Sequence, residues 1–127
     1  MSYILDADYE VSELGTVGVH PQHAHLMDET SKRDVEERID HPKVVAVGEC
    51  GLDSFWLQQA SLELQIACFK WQLELARNYK LPLVFHCRDM HDEMLPIVTS
   101  LLDKSQKIHL HCFTGSYDNY VAWMNAF

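Results

Sequence analysis

Four short runs of β-branched and apolar residues are spaced along the chain, and each ends on a residue able to hold a divalent metal. Thr16-Val17-Gly18-Val19 leads to His20, and Val44-Val45-Ala46-Val47-Gly48 leads to Glu49. Leu83-Val84-Phe85 leads to His86, and Ile108-His109-Leu110 leads to His111. A loop and then a helical pattern follow each run. That alternation predicts parallel strands joined by crossover helices. In such sheets the loops beyond the C-terminal strand ends build the active site. Four candidate ligands are therefore expected to converge on one rim.

The helical stretches differ in how much they bury. Asp28 can cap a helix running to about Ile39, where only Val35 and Ile39 are apolar, so this helix is mostly solvated. Proline disfavours helix in the residue before it, and His41-Pro42 ends the stretch. The longest helix covers about Ala60 to Tyr79. Leu62, Ile66, Phe69, Leu73 and Ala76 form one apolar stripe, with Leu64, Cys68, Trp71 and Leu75 as a second beside it. So broad a face suits a helix wedged between a sheet and its neighbours. Pro82 opens the next strand, where a missing N–H costs least. A third helix reaches about Leu102 with Leu95, Val98, Leu101 and Leu102 inward, and starts near Asp92 so that Pro96 falls early. Ser116 caps a last helix carrying Val121 and Met124. That pattern stops at Phe127 with no closing glycine or proline, which reads as a helix cut short. Residues 1–15 are acidic and aperiodic, either the remnant of a preceding element or a frayed lead-in.

The length of 127 residues predicts one domain, residues 1–127. A closed eight-stranded barrel takes roughly 200–250 residues. The expected fold is therefore α/β: an incomplete TIM-type barrel of about four parallel strand–helix units. No internal repeat beyond that alternation is present, and no low-complexity linker.

Charge narrows the function. The formal net charge is −9, which argues against a protein that grips nucleic acid by a broad basic face. A phosphate-ester substrate stays open, because bound metal ions supply local positive charge. Cys50, Cys68, Cys87 and Cys112 show no CxxC pairing, and three of them directly follow Glu49, His86 and His111. If the strands continue, alternation sends those thiols to the opposite face, among the helices. Buried free thiols point to a reducing compartment, cytoplasmic or nuclear. No apolar run approaches the roughly 18 residues of a spanning helix, and the first residues lack the basic and apolar regions of a signal peptide.

The candidate chemistry centres on Glu49, between Gly48 and Cys50-Gly51. A carboxylate there, with imidazoles from His86 and His111, offers the mixed oxygen and nitrogen donors that zinc, manganese or magnesium accept. His20, before Pro21, is either a ligand, a phosphate contact, a donor that steadies a ligand, or structural. Asp53 either orients a ligand or caps the following segment. Arg88 either clamps a phosphate or carboxylate, or pairs with Asp89 or Asp53. Thr114 and Gly115 could present a hydroxyl and N–H groups to an anion. Phe55, Trp56 and Trp71 are either a base-stacking surface or packing. His109 either shares the face of His111 or is structural. His23 and His25 are expected at the surface, with structural roles for His41 and His91.

Together these stretches resemble the TatD family of metal-dependent deoxyribonucleases. The resemblance rests on Gly18-Val-His-Pro21, Val44-Val-Ala-Val-Gly-Glu-Cys-Gly-Leu-Asp53, Gln65-x3-Phe69-x2-Gln72-Leu73, Leu81-Pro82 leading to His86-Cys-Arg-Asp89, and His111-Cys-Phe-Thr-Gly115. It covers about residues 15–127, in order. It implies hydrolysis of DNA phosphodiester bonds in an exonuclease-like manner, with metal held by Glu49, His86 and His111. Magnesium is the implied ion for activity, with zinc or manganese alternatives, and His20 and Arg88 are expected to face substrate. The chain departs from the family in three places. No His-x-His or Asp-containing opening strand precedes His20, the late Glu-Thr-Asp type motif is missing, and Ser54–Gln59 is shorter and more apolar than usual. The missing aspartate leaves the general base unassigned. Two rival readings follow: a metallohydrolase of a small ester, amide or lactone, and a non-catalytic fragment retaining a partial metal site. DNA is the expected partner, with no membrane association, and open sheet edges are expected to favour self-association.

Overall fold

The computed structural model describes the backbone of residues 2–3 and all of residues 14–127. Five strands lie side by side in chain order: β1 (Ser2–Tyr3), β2 (Gly15–Val19), β3 (Val44–Asp53), β4 (Leu83–Arg88) and β5 (Ile108–Leu110). β2 to β5 run parallel, whereas the two-residue β1 pairs antiparallel with β2. Four helices follow the parallel strands in turn: α1 (Glu29–Ile39), α2 (Leu62–Tyr79), α3 (His91–Leu101) and α4 (Tyr117–Ala126). The sheet is open, so the barrel is incomplete, as the alternation predicts. The ambiguous lead-in divides: Ser2–Tyr3 is a strand, and 4–13 lie outside the described residues.

β3 is the spine of the molecule. Along its length only Val45 is exposed and Glu49 half-buried, the near-continuous burial of a parallel strand covered on both faces. It does not end at Glu49 but runs on to Asp53, and β4 likewise runs past His86 to Arg88. The register against β4 slips between Gly48 and Cys50, since Gly48 faces Val84 and Cys50 faces Phe85. Glu49 is thus the extra residue of a β-bulge, a feature that re-aims a side chain out of the ladder.

The core forms where α2 crosses this spine. Phe69 and Phe85 meet edge to face at 5.3 Å, Trp123 joins Phe85 at 5.9 Å, and Leu52, Leu73 and Met94 are sealed around them. Asp28 caps α1 through Ser31, Ser61 caps α2, and Ser116 caps α4 in a reciprocal capping box with Asn119. Leu64, which the second apolar stripe of α2 marked for burial, is in fact exposed, and so is Met124 on α4. Trp123 takes the inward place on α4, buried against Phe85. Met94 is an inward residue of α3 that the apolar pattern did not mark. α3 begins at His91, so Pro96 is its sixth residue rather than part of the first turn.

Candidate metal centre

Each parallel strand, or the residue after it, delivers polar side chains to the rim: His20 after β2, Glu49 and Asp53 from β3, His86 and Arg88 from β4, and His111 after β5. His20 follows β2 and caps the 3₁₀ turn Pro21–Leu26, its Nδ1 accepting the Gln22 N–H at 3.0 Å. An imidazole that accepts at Nδ1 while neutral carries its proton on Nε2. Burial, and then the neighbouring His86, push the His20 pKa down to about 4, so this ring is neutral at physiological pH. The two rings stand 4.3 Å apart.

His86 is held from behind. Its Nε2 lies 2.7 Å from Oδ2 of Asp53, and the other Asp53 oxygen accepts the Phe55 N–H at 2.8 Å. Asp53 is only 2% exposed, so it both orients His86 and caps the turn Ser54–Trp56. A proton shared with Asp53 sits on Nε2 and leaves the Nδ1 lone pair of His86 free. That Nδ1 is 3.5 Å from Oε1 of Glu49, whose Oε2 lies 4.0 Å from Nε2 of His111. The bulged carboxylate therefore stands between two imidazoles from the next two strands.

Ligand distances test whether a cation fits. Two donors on one tetrahedral divalent ion, each bonded at about 2.0–2.1 Å, stand about 3.3–3.5 Å apart. The His86–Glu49 separation matches, and His111, whose side chain is 47% exposed, needs to approach by about half an ångström. His20, Asp53 and His86 also bring donor atoms within 4.8 Å of one another. In that trio, however, both Asp53 oxygens and His20 Nδ1 already accept N–H donors, and 2.7 Å is a hydrogen bond rather than a shared-ion spacing. Among the described residues the Glu49 carboxylate and Nδ1 of His86 accept no N–H donor, His111 Nε2 has the Cys112 sulfur at 3.2 Å beside it, and Asp53 and His20 frame the three.

Other sequence candidates scatter. Arg88 is exposed and pairs with neither Asp53 nor Asp89; among the described residues it makes no ion pair, and its guanidinium lies over the Phe55 ring at 4.7 Å. Phe55 and Trp56 stand on the rim, whereas Trp71 lies on α2 under Lys32, away from it. His109 is exposed and its ring is 6.2 Å from that of His111. His91 is structural: it is buried, and its Nδ1 accepts the Trp123 indole N–H at 3.0 Å. His41 accepts the Lys43 N–H and holds a turn, and His25 is exposed while His23 is half-buried. Cys50, Cys68 and Cys87 are buried, and burial raises all three thiols, Cys68 to about 12 and Cys87 to about 11. Cys112 breaks the expectation. β5 ends at Leu110, so alternation no longer applies; Cys112 is exposed at φ 48°, its sulfur 3.2 Å from His111 Nε2.

Two glutamines of α2 position the rim, and sequence reasoning assigned them no role. Gln72 Oε1 accepts the Val19 N–H at 2.8 Å and its Nε2 donates to the Val19 carbonyl at 3.0 Å. Gln65 does the same for Asp53, at 2.8 and 3.1 Å. Each amide fastens the helix to the last residue of a strand, one just before His20 and the other at Asp53 itself. A Cβ on Gly18 would lie 2.8 Å from Gln72 Oε1 and 2.9 Å from the Gly48 carbonyl oxygen of β3, so the position has no room for a side chain. The available signal was a pair of glutamines seven residues apart inside an apolar stripe.

Parallel strands in an open sheet, with imidazoles and a carboxylate gathered at their C-terminal ends, define a chain of the β/α-barrel class. A family model described as TatD related DNase matches residues 4–126, and the chain belongs to that family. The human 3'-5' RNA nuclease TATDN2 is 41% identical over 103 residues, covering 81% of this chain and 14% of that protein. The 3'-5' ssDNA/RNA exonuclease TatD of Erwinia billingiae is 39% identical over 111 residues, covering 87% of this chain and 42% of that protein. The chain thus spans well under half the length of these relatives. A hydrolase TatD family protein from Entamoeba histolytica superposes with a TM-score of 0.81 at 30% identity, over 89% of this chain and 39% of that one. YJJV, a TatD homologue from Escherichia coli K12, gives 0.77 at 30% identity, over 90% and 43%.

Proposed function

We propose that this chain holds a divalent cation between Glu49, His86 and His111 and serves the metal-dependent hydrolysis of nucleic-acid phosphodiester bonds from a strand end. The observation that carries the reading is the Glu49 carboxylate standing between Nδ1 of His86 and Nε2 of His111. A divalent cation bound there supplies Lewis acidity toward a phosphoryl oxygen and makes water a stronger acid. Magnesium is the ion we propose for activity, with zinc and manganese compatible with the same donors.

The remaining work falls to the chain itself. Asp53 keeps His86 in one tautomer and one orientation, which spares the ligand the entropy of finding it. His20, neutral and protonated on Nε2, offers a donor to a phosphate oxygen without adding a charge. Arg88 offers a planar fork to a second phosphate. The printed names of the relatives, a 3'-5' ssDNA/RNA exonuclease and a 3'-5' RNA nuclease, support DNA or RNA as substrate and attack from the 3' end. Free cysteines suit a reducing compartment, cytoplasmic or nuclear. Among the described residues no helix is long and apolar enough to cross a membrane.

Degradation of single-stranded DNA and RNA with magnesium, by the wild type and by Glu49→Ala, tests this reading. Removing a direct ligand is expected to cost more than the roughly 100-fold that marks the upper range for residues merely supporting one. Equal rates in the two proteins would remove the assignment.

A further inference from the structure

A chain with a net charge of −9 that handles a polyanion has to gain affinity from something other than a basic face. Base stacking is the alternative. Every base has a π face, and single strands bind to aromatic or guanidinium planes largely without regard to sequence.

Such a plane stands on the rim of the centre just described. Phe55 is 62% exposed, yet it is held from three sides. Its N–H donates to Asp53 Oδ1 at 2.8 Å, Trp56 meets its ring at 5.0 Å and 86°, and the Arg88 guanidinium lies 4.7 Å from its centroid. The loop carrying it is tied to the turn after His20 by Gln59 Nε2 donating to the Gln22 carbonyl at 2.9 Å. A ring that is fixed but exposed loses little entropy on binding. Arg88 makes no ion pair among the described residues, and a stacked guanidinium keeps its edge donors available. With the Arg88 fork over one face of the Phe55 ring, the exposed remainder of the ring and the fork's edge match the two parts of a nucleotide, base and phosphate. The same Asp53 carboxylate that pins Phe55 holds His86, so this surface adjoins the candidate ligands.

We propose that Phe55 and Arg88 form a platform that stacks an unpaired base of a single-stranded nucleic acid, with the Arg88 fork on a neighbouring phosphate. The proposal rests on the nuclease reading and assigns Phe55 and Arg88 to the unpaired bases of the single strands that the relatives' names print. A duplex keeps its bases stacked on each other and cannot offer them.

Fluorescence anisotropy tests it with two labelled strands of equal length. One carries adenines and the other a stable abasic analogue, both phosphorothioate-linked to block cleavage, with magnesium present. The wild type is expected to prefer the adenine strand on the order of 10-fold. Phe55→Ala should erase the preference and Phe55→Trp should keep it. Equal binding of both strands by the wild type, or an undiminished preference in Phe55→Ala, overturns the platform. So does a lower melting temperature in Phe55→Ala with the preference intact, which would mean the ring packs against protein. Cleavage of an ordinary phosphodiester-linked abasic strand reads the metal centre separately. Turnover of it without base preference overturns the platform and leaves the hydrolase reading standing. Base preference without any turnover does the reverse.

Discussion

Asp53 shows how much a single buried carboxylate settles. One oxygen accepts the Phe55 N–H and the other accepts from His86 Nε2, so one side chain fixes both a loop and a tautomer. Asp53→Ala is expected to let the His86 ring rotate and exchange its free nitrogen. Metal affinity should fall by roughly 10- to 100-fold, read by calorimetric titration with zinc or manganese. An unchanged affinity would show that His86 is positioned by something else. The sequence left Asp53 open between orienting and capping, and the structure has it doing both. Such a double role is invisible along a chain, because nothing in Gly51-Leu52-Asp53 reports which strand passes behind it. Gly51 carries a related trace: at φ 154° any Cβ would collide with the carbonyl of His86, so a tight β3–β4 approach is encoded in that glycine.

At the level of elements, β-branched and apolar runs made the four parallel strands legible, apolar stripes placed α2, and cap residues located α1 and α4. Strand ends were less legible. A run broken by Gly48-Glu49 looks finished, whereas the bulge lets β3 continue to Asp53. Glu49, His86 and His111 were readable as rim residues because each follows an apolar run; their mutual distances depend on bulge and register, which sequence does not display. Gln65 and Gln72 were hidden for a different reason. Amides on a helix read as solvated face, yet both are fully buried and bonded to strand backbone. Gln72→Leu is close in volume but leaves the Val19 N–H and carbonyl unpaired in the core. Each orphaned backbone group costs about 1–3 kcal/mol, so a loss of about 2–5 kcal/mol in urea unfolding is expected. A loss under about 1 kcal/mol would mean that β2 finds other partners.

The two edges of the sheet differ, and a prediction about association in solution follows from the difference. β2 is flanked by the antiparallel pair with β1, so that side is shielded over at least two residues. Among the described residues β5 pairs only with β4 and no strand lies along its other edge. Beside it lies a groove of about 710 Å³ whose lining includes Ile108, Leu110, Phe113, Tyr120, Met124 and Phe127. Exposed Phe113, Tyr120 and Met124 make this an apolar surface next to unpaired backbone groups, the combination that templates pairing with another chain. Two features oppose it: β5 is only three residues long, and Lys104 and Lys107 border the groove. Short edges and lysines blunt hydrogen-bonded strand addition, but they do not cover the apolar face of α4. The expected outcome is therefore weak, reversible self-association through α4 rather than extended sheet growth. Sedimentation velocity should show a concentration-dependent coefficient for the wild type, and Met124→Lys should shift the equilibrium toward monomer without altering the circular dichroism spectrum. A wild type that stays monomeric across the whole accessible concentration range would show that the lysines and the short strand suffice.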